Sequence, residues 1–187
     1  MILFENKGSE NTKDCFRAVA DRVEELGLNH VVVASTSGRT GAKAVEFFAG
    51  LDVKVTVVSH QFGYKRDGEI EMEEEFRKKI EDAENASLVV TPDVLTRVNK
   101  MVRKKYGGAT YLDFIADTLR IFSEGMKVSI ECSLQAADSG EIPVKEEIAV
   151  IAGTGSGSDT GIVLESQHTH NLFDIDVREI VCMPREK

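Results

Sequence analysis

The hydrophobic pattern is clearest at residues 30–34, where a short apolar run ends abruptly in small and hydroxyl-bearing residues. The run contains three consecutive valines and has no polar face, which is typical of a parallel strand covered on both sides. A polar loop, 35–41, follows it, and residues 42–49 have the spacing of a helix. A second apolar run at 53–58 predicts the next strand. Together these segments predict a parallel βαβ unit.

Segments on either side extend this unit. Apolar residues at helical spacing predict an earlier helix that begins at Asn11 or Thr12 and ends before Gly27. Residues 71–83 predict a charged helix with a narrow apolar stripe, and residues 87–90 predict a third strand. The first half of the chain therefore alternates strand and helix, as α/β proteins do.

The middle of the chain predicts two more helices and a strand. Thr91 stands before a proline, which predicts the N-cap of a helix that runs to about residue 105. Thr110 predicts the cap of a further helix, which Gly125 would end. Residues 126–134 predict a fourth strand.

The last third of the chain changes to a β pattern. Residues 148–152, 161–165 and 176–182 all predict strands, with little helix between them. No linker, repeat or low-complexity tract divides the chain. We therefore expect residues 1–187 to form a single α/β domain whose sheet continues into a β-rich C-terminal part.

Composition narrows the class of protein. Hydrophobic residues make up 42% and charged residues 29% of the chain, as in ordinary globular proteins. We find no apolar run long enough to span a bilayer and no signal-peptide pattern, so we expect a cytoplasmic protein that does not enter membranes. Cys15, Cys132 and Cys182 are widely spaced and are interpreted as reduced, mostly buried thiols, with a nucleophilic Cys132 as a minor alternative.

The net charge of −9 argues against general nucleic-acid binding, which needs a basic surface. The one dense basic cluster comprises Lys100, Arg103, Lys104 and Lys105. We interpret it as the solvated end of a helix. Any phosphate site must therefore be locally positive within an acidic protein.

The loop 35–41 has the chemistry of an anion site. Ser35, Thr36, Ser37 and Thr40 supply hydroxyl groups, Gly38 allows close approach of the backbone, and Arg39 supplies a guanidinium suited to phosphate oxygens. The start of the next helix adds its positive dipole end. The loop lacks the glycine-lysine-serine/threonine triplet of a Walker A motif. The alternative is a polar turn whose hydroxyls only cap the helix.

A second glycine-rich segment, 153–161, has some likeness to a dinucleotide-binding fingerprint. Residues 162–164 after it predict a strand, whereas that fingerprint requires a helix. We therefore predict a hairpin loop, which is either a plain flexible connection or the wall of a ligand site.

The loop after the second strand is a third candidate. It begins at Ser59 and His60 and would lie beside the loop 35–41, at the edge where α/β sheets bind ligands. Gln61, Phe62 and Tyr64 could stack on or hydrogen-bond to a ring, and the alternative is an ordinary surface loop. His168 and His170 are a weak metal motif because no partner stands at a suitable spacing.

Several of these segments resemble a known family. The run Ser35-Thr36-Ser37-Gly38-Arg39-Thr40 resembles a loop of the C-terminal domain of pyruvate kinase, which there binds phosphates of an allosteric sugar effector. The whole chain is more similar to the small stand-alone pyruvate kinase alpha/beta domain-like proteins found mainly in archaea. The matching segments span nearly all 187 residues and are 57–60, Gly63, Thr91-Pro92, 153–160 and His168-Thr169.

The resemblance implies a three-layer α/β/α fold with a mixed, mostly parallel sheet of order 3-2-1-4-5 and a β extension. It does not imply pyruvate kinase activity, because the phosphoryl-transfer residues lie in that enzyme's barrel, for which 187 residues leave no room. It also implies bound flavin mononucleotide (FMN). The phosphate would occupy residues 35–40, and the ring would lie against residues 60–64 and 153–159.

These inferences predict a protein that binds a phosphorylated small molecule, with FMN as the leading ligand. Flavin-dependent catalysis stays open, as does self-association into a homo-oligomer. The alternatives are a regulatory or sensor module for a phosphosugar or other phosphometabolite, and an interaction domain whose loop only caps a helix. No catalytic residue and no metal ligand is assigned. The predicted ligand-binding residues are Ser35, Thr36, Ser37, Gly38, Arg39, Thr40, Ser59, His60, Gln61, Gly63, Thr91, Gly153, Thr154, Gly155, Ser156, Gly157 and Asp159.

Overall fold

A seven-stranded sheet forms the centre of the protein in a computed structural model, which describes residues 1–186. Its order is β1-β7-β6-β5-β2-β3-β4. The strands from β5 to β4 in that order are parallel, and β6 is antiparallel to both of its neighbours. The strands are β1 (Ile2–Phe4), β2 (His30–Ala34), β3 (Lys54–His60), β4 (Ala86–Thr91), β5 (Glu147–Ala152), β6 (Thr160–Glu165) and β7 (Asp176–Pro184).

Helices cover both faces of the sheet, which gives a three-layer α/β/α arrangement. The first three helices pack on one face, and the sixth packs on the other with the fifth against its outer side. Short 3₁₀ turns occupy Ser9–Asn11 and Thr169–Asp174. The helices are α1 (Thr12–Leu26), α2 (Arg39–Phe48), α3 (Glu74–Glu81), α4 (Arg97–Tyr106), α5 (Tyr111–Leu119) and α6 (Glu124–Asp138).

Strand β2 explains why the sequence has a continuous apolar run. Val31 and Val33 belong to the core beneath α1 to α3, whereas Val32 belongs to the core beneath α6. All three valines are fully buried. A strand covered on both faces has no side that needs polar residues.

Several elements confirm the sequence predictions. Helix α1 begins at Thr12, and Gly27 ends it with φ of 65° while its N–H donates to the carbonyls of Val23 and Glu24. Thr110 caps α5 in a reciprocal capping box with Asp113. The glycine-rich segment connects the antiparallel pair β5 and β6 as a hairpin loop.

The prediction of a fourth strand at residues 126–134 is wrong, because this segment lies within α6. The helix is buried along most of its length, including Ser129, Cys132 and Ser133. Residues 126–134 alternate apolar and polar residues, which is the pattern of a half-buried strand, whereas α6 buries the polar members Lys127, Ser129, Glu131 and Ser133 as well. The start of the helix was encoded locally, since Ser123 Oγ accepts a hydrogen bond from Met126 N at 2.8 Å.

The strand order also differs from the expected 3-2-1-4-5. Because residues 126–134 are helical, β5 occupies the position beside β2. At the far edge, β1 pairs with β7 through Ile2–Phe4, a segment too short for its pattern to be interpreted. Local patterns do not specify which strands become neighbours, since pairing depends on contacts between distant residues.

Three helix boundaries need correction. Thr91 does not cap a helix, since it ends β4 and α4 begins at Arg97 after Thr96. Gly125 lies in the first turn of α6 and does not end the preceding helix. The charged helix predicted at 71–83 is limited to Glu74–Glu81. Within residues 1–186, no helix combines the length and apolar character needed to cross a membrane.

Gly125 provides a test of how α6 packs. A Cβ at this position would lie 2.5 Å from the Cβ of Thr160 on β6. Replacing glycine by alanine inside a helix normally stabilises it by about 1 kcal/mol. We predict that Gly125→Ala instead lowers the free energy of unfolding by about 1–3 kcal/mol, because the methyl group overlaps the neighbouring strand. Urea denaturation measures this change.

The matched control is Gly50→Ala, because a Cβ at Gly50 would meet no atom within 4 Å. This variant should unfold at nearly the same urea concentration as the unmodified protein. Equal stability of the two alanine variants would contradict the close approach of α6 to β6.

Candidate functional site

The carboxyl ends of β2 and β5 form a crevice at one edge of the sheet. The two strands are parallel neighbours, paired from Val31↔Ala149 to Val33↔Ile151. The chain after β2 turns toward β3 through α2, whereas the chain after β5 turns the other way into β6. Loops that diverge in this way leave a crevice where α/β proteins commonly bind ligands.

A cavity of about 640 Å³, here called the first cavity, lies in this crevice. It brings together residues of the loop 35–40, the end of β3 and the glycine-rich hairpin loop. Of the predicted ligand-binding residues, its walls contain Ser35, Thr36, Ser37, Arg39, Thr40, His60, Gly153, Gly155, Ser156 and Gly157.

The loop between β2 and α2 is held rigidly by contacts within the protein. Ser35 is buried, and its Oγ accepts a hydrogen bond from Gly41 N at 2.9 Å. The carbonyl of Ser37 accepts a hydrogen bond from Glu73 N at 3.0 Å. Gly38 has φ of 86°, and a Cβ there would lie 2.8 Å from Met72 Cγ. Gly38 therefore shapes the loop without lining the cavity.

Several N–H groups of this loop make no hydrogen bond within the protein. The amide of Arg39 donates to Ser37 Oγ at 3.4 Å, and that of Gly41 is satisfied by Ser35. Across residues 1–186, no hydrogen bond uses the backbone N–H of Ser37, Gly38 or Thr40. These donors lie at the N-terminus of α2, where the helix dipole is positive. The group is suited to binding an anion.

Basic side chains add positive charge to the first cavity. Arg39, Lys43 and Lys65 line it, and Arg39 lies 5.5 Å from the ring centre of Phe76. The guanidinium of Arg39 also lies 3.4 Å from Glu73, in a pair that is largely exposed. An exposed pair of this kind is weak, so it leaves Arg39 able to turn toward a phosphate.

The glycines of the hairpin loop are required by close approach of the chain to itself. A Cβ on Gly157 would lie 2.5 Å from Thr12 Oγ1, and one on Gly153 would lie 2.9 Å from Ser158 Cα. Asp159 is fully buried, and its Oδ2 accepts hydrogen bonds from Gly8 N at 2.9 Å and Thr154 N at 3.1 Å. Asp159 and Thr154 therefore fix the loop and do not line the first cavity.

His60 lies at the boundary between the first cavity and a neighbouring one. Its Nδ1 is 2.8 Å from Glu71 Oε2, and its Nε2 is 3.9 Å from Asp93 Oδ1. The imidazole stacks on Tyr64 with 3.8 Å between ring centres. Burial raises the pKa of Tyr64, with the nearby Asp93 adding to the shift. His60 is thus oriented by a carboxylate on one side and a ring on the other.

The neighbouring cavity, here called the second cavity, has a volume of about 400 Å³. It contains charged residues that the sequence reasoning did not assign to a site, including Asp93, Arg97, Lys127 and Glu131. Lys127 and Glu131 form a buried ion pair one turn apart on α6. Their i,i+4 spacing was a detectable helix signal, but the segment was interpreted as a strand.

The basic cluster on α4 is exposed, as the sequence predicted for a solvated helix end. Two of its members, Lys100 and Arg103, also line the second cavity, which the sequence did not indicate. Lys104 and Lys105 are exposed and lie outside both cavities.

Some predicted ligand-binding residues lie outside both cavities. Gly63 accepts a hydrogen bond from Arg97 through its carbonyl at 3.2 Å, and Thr91 does the same from Gln135 at 3.4 Å. Gln61 is half-buried with its Oε1 unpaired, and Phe62 is exposed. Ser59, by contrast, lines the second cavity, and its Oγ donates a hydrogen bond to the carbonyl of Thr36 at 3.2 Å.

The cysteines confirm the prediction of buried thiols. Cys132 borders the second cavity, but burial raises its pKa far above the ordinary value, so it stays a protonated thiol. The Sγ atoms of Cys15 and Cys182 lie 3.5 Å apart.

The histidines that were considered as a weak metal motif lie elsewhere, and His168 Nδ1 contacts Asp138 at 3.0 Å. In the part of the chain that the structure describes, no three potential ligands cluster to hold a metal ion.

Comparison with known proteins gives little information on function. No protein-family model matches the chain. A solved structure of NAD+ synthetase from Burkholderia pseudomallei is similar over 78% of this chain, with 21% sequence identity and a TM-score of 0.35. The chain spans about half the length (52%) of that protein.

Glu71 provides a pH-dependent test of this site. Burial favours a higher pKa for Glu71, but hydrogen bonds from Lys65 (2.5 Å) and His60 (2.8 Å) outweigh it and hold the pKa below its ordinary value. The unfolded chain therefore binds a proton at higher pH than the folded protein does. The resulting stabilisation is present at neutral pH and is lost as pH falls through the folded-state pKa.

We predict that the free energy of unfolding of Glu71→Gln falls less than that of the unmodified protein when the pH is lowered from about 6 to about 3, because the variant lacks this titrating group. Urea denaturation at a series of pH values measures the difference. Glu69→Gln is the control, since Glu69 is largely exposed on the same loop. Identical pH profiles for Glu71→Gln and the unmodified protein would show that the contacts of Glu71 contribute nothing.

Proposed function

We propose that this protein binds a phosphorylated small molecule in the first cavity, with the phosphate at residues 35–40, and that FMN is the ligand. The observation that carries the proposal is the pair of unused backbone N–H groups of Ser37 and Thr40, two residues that line the first cavity at the start of α2. Arg39 and Lys43 supply nearby positive charge. This combination matches phosphate in charge and in hydrogen-bonding needs.

The remainder of the first cavity is suited to the rest of such a ligand. Its volume of about 640 Å³ lies within the range of small-molecule sites. Ser9, Thr12 and Ser156 also line the first cavity, and hydroxyl groups of this kind would hold a polyol chain. His60 lies on its border with the second cavity and would contact a ring system there. When bound, FMN supplies electron or hydride transfer, which the apoprotein's own side chains do not.

A second candidate is a regulatory or sensor module that binds a phosphosugar or another phosphometabolite without catalysis. The observation that favours it is the scarcity of aromatic surface in the first cavity, where His60 is the single aromatic ring among the described lining residues. His60 already stacks on Tyr64. A sugar phosphate needs hydroxyl and cationic partners more than it needs a stacking surface.

Absorbance spectroscopy and calorimetry test the proposal. The purified protein is expected to be yellow, or to bind added FMN with a Kd of about 1 μM or below, corresponding to about −8 kcal/mol. Thr40→Glu should abolish this binding, because a carboxylate among the donors repels phosphate and occupies its place. Ala49→Glu adds the same charge at the opposite, exposed end of α2 and should bind FMN normally.

Ribose 5-phosphate separates the two candidates. Stabilisation by this sugar phosphate, lost in Thr40→Glu, together with indifference to FMN supports the regulatory module. Binding of FMN by the Thr40→Glu variant with unchanged affinity would contradict a phosphate site at this loop. A protein that ignores both compounds would contradict FMN as the ligand and ribose 5-phosphate as its replacement.

A further inference from the structure

The second cavity is a binding volume in its own right. It shares a wall with the first cavity, formed by Ala34, Ser35, Thr36, His60, Glu124 and Val128. Its volume of about 400 Å³ falls within the usual range for small ligands. A phosphorylated ligand in the first cavity would therefore leave room for a separate molecule beyond His60.

The second cavity carries cationic side chains that no carboxylate neutralises. Arg103 is paired with Asp113 at 3.0 Å, and Arg120 is paired with Glu124 at 2.6 Å. By contrast, no carboxylate of residues 1–186 lies within 4.0 Å of the charged nitrogens of Arg97 or Lys100. These two residues are one helical turn apart on α4 and line the same cavity. Arg97 and Lys100 thus stay without a carboxylate partner in a chain whose net charge is −9.

Lys127 contributes a buried ammonium group to the wall. Its side chain is 7% exposed, and within residues 1–186 Glu131 is the sole acceptor for its Nζ. An ammonium group has three N–H donors, so two of them have no protein partner. Burying a charge is costly unless it is paired and hydrogen-bonded. An anion in the cavity would complete the hydrogen bonding of Lys127.

The carboxylates in the same wall are already occupied. Glu131 Oε1 accepts a hydrogen bond from Leu95 N at 2.7 Å, and Oε2 pairs with Lys127. Asp93 Oδ2 accepts from Thr96 Oγ1 at 3.2 Å. Glu131 is therefore neutralised by Lys127, whereas Asp93 has no Lys or Arg partner within 4.0 Å in residues 1–186 and its Oδ1 lies 3.9 Å from His60 Nε2. The described lining residues include five cationic and four carboxylate side chains, so the second cavity keeps an excess of positive charge.

Arg97 is held in position before any ligand binds. Its Nη2 donates to the carbonyls of Gly63 and Tyr64, both at 3.2 Å. Its guanidinium carbon lies 4.4 Å from the ring centre of Tyr64, which stacks in turn on His60. Nε and Nη1 of Arg97 make no hydrogen bond within residues 1–186, so each can donate a single hydrogen bond to an oxygen of a carboxylate or phosphate group.

We infer that the second cavity binds a small anionic co-ligand, bearing a carboxylate or a phosphate, through Arg97, Lys100 and Lys127. This inference depends on the proposed function only for the partner ligand in the first cavity. The stack of Arg97, Tyr64 and His60 connects the two ligands. The protein thus has two adjacent anion subsites, and the co-ligand is the candidate second substrate or effector.

The test uses inorganic phosphate and malonate as probes, at constant ionic strength, with the thermal unfolding midpoint as the readout. Thr40→Glu serves as the background because it blocks the subsite at α2. In this background, Arg97→Gln combined with Lys100→Gln should weaken the apparent affinity for the probe about tenfold or more. Lys104→Gln combined with Lys105→Gln is the control, since it removes the same charge from α4 outside the cavity.

The outcomes distinguish this inference from the proposed function. Retained probe binding in Thr40→Glu, lost on adding Arg97→Gln and Lys100→Gln, supports the inference, and the stronger of the two probes identifies the anion as phosphate or carboxylate. Loss of all probe binding in Thr40→Glu alone would overturn the inference and leave the proposed function intact. Equal binding with and without the Arg97 and Lys100 changes would also overturn it.

Two further results complete the comparison. If Arg97→Gln with Lys100→Gln removes all probe binding even when Thr40 is unchanged, the inference holds and the proposed phosphate site fails. If the same pair of changes weakens FMN or ribose 5-phosphate about tenfold or more, one ligand spans both cavities, and a separate co-ligand is excluded.

Discussion

The adjacency of β2 and β5 is the constraint on which the rest of the structure depends. Both strands are fully buried where they pair, between Val31↔Ala149 and Val33↔Ile151, with helices on each face. Their carboxyl ends lie side by side while the chain leaves them in opposite directions. The crevice is therefore a consequence of strand order, and loops separated by more than a hundred residues become its two walls.

Close packing and buried hydrogen bonds hold the two walls of the candidate site in place. A Cβ on Gly41 would lie 2.5 Å from Val57 Cγ1, so α2 can pack closely on β3 only with glycine at that position. Close packing fixes the direction of α2 and aims its first turn at the first cavity. Asp159 holds the opposite wall in place, because its buried carboxylate accepts hydrogen bonds from Thr154 N in the hairpin loop and from Gly8 N. Both walls are thus rigid before a ligand arrives, which lowers the cost of binding.

Positive charge is concentrated in the two cavities. The chain is acidic overall, yet eight cationic and five carboxylate side chains line the two cavities in the described part of the chain. Clefts lined by an excess of one sign concentrate ligands of the opposite sign. His60 borders both cavities and is held by Glu71 and Tyr64. It therefore separates the proposed phosphate site at the backbone of α2 from the inferred co-ligand site lined by side chains of α4 and α6.

The sequence by itself determined the βαβ unit and the loop 35–41, because a strand buried on both faces, a glycine-containing turn and a helix start are each encoded by residues close in the chain. It also determined the hairpin after β5 and the buried state of the cysteines. Only the tertiary structure decided that residues 126–134 form a helix, since their alternation of apolar and polar residues is typical of a strand, and the polar members are buried in the helix. Tertiary structure likewise placed Arg97, Lys100 and Lys127 around one cavity and assigned Thr91 to a strand end. The loop after β2 can be predicted from residues close in the chain. The other segments that line the cavities depend on which strands become neighbours, and contacts between residues far apart in the sequence determine that pairing.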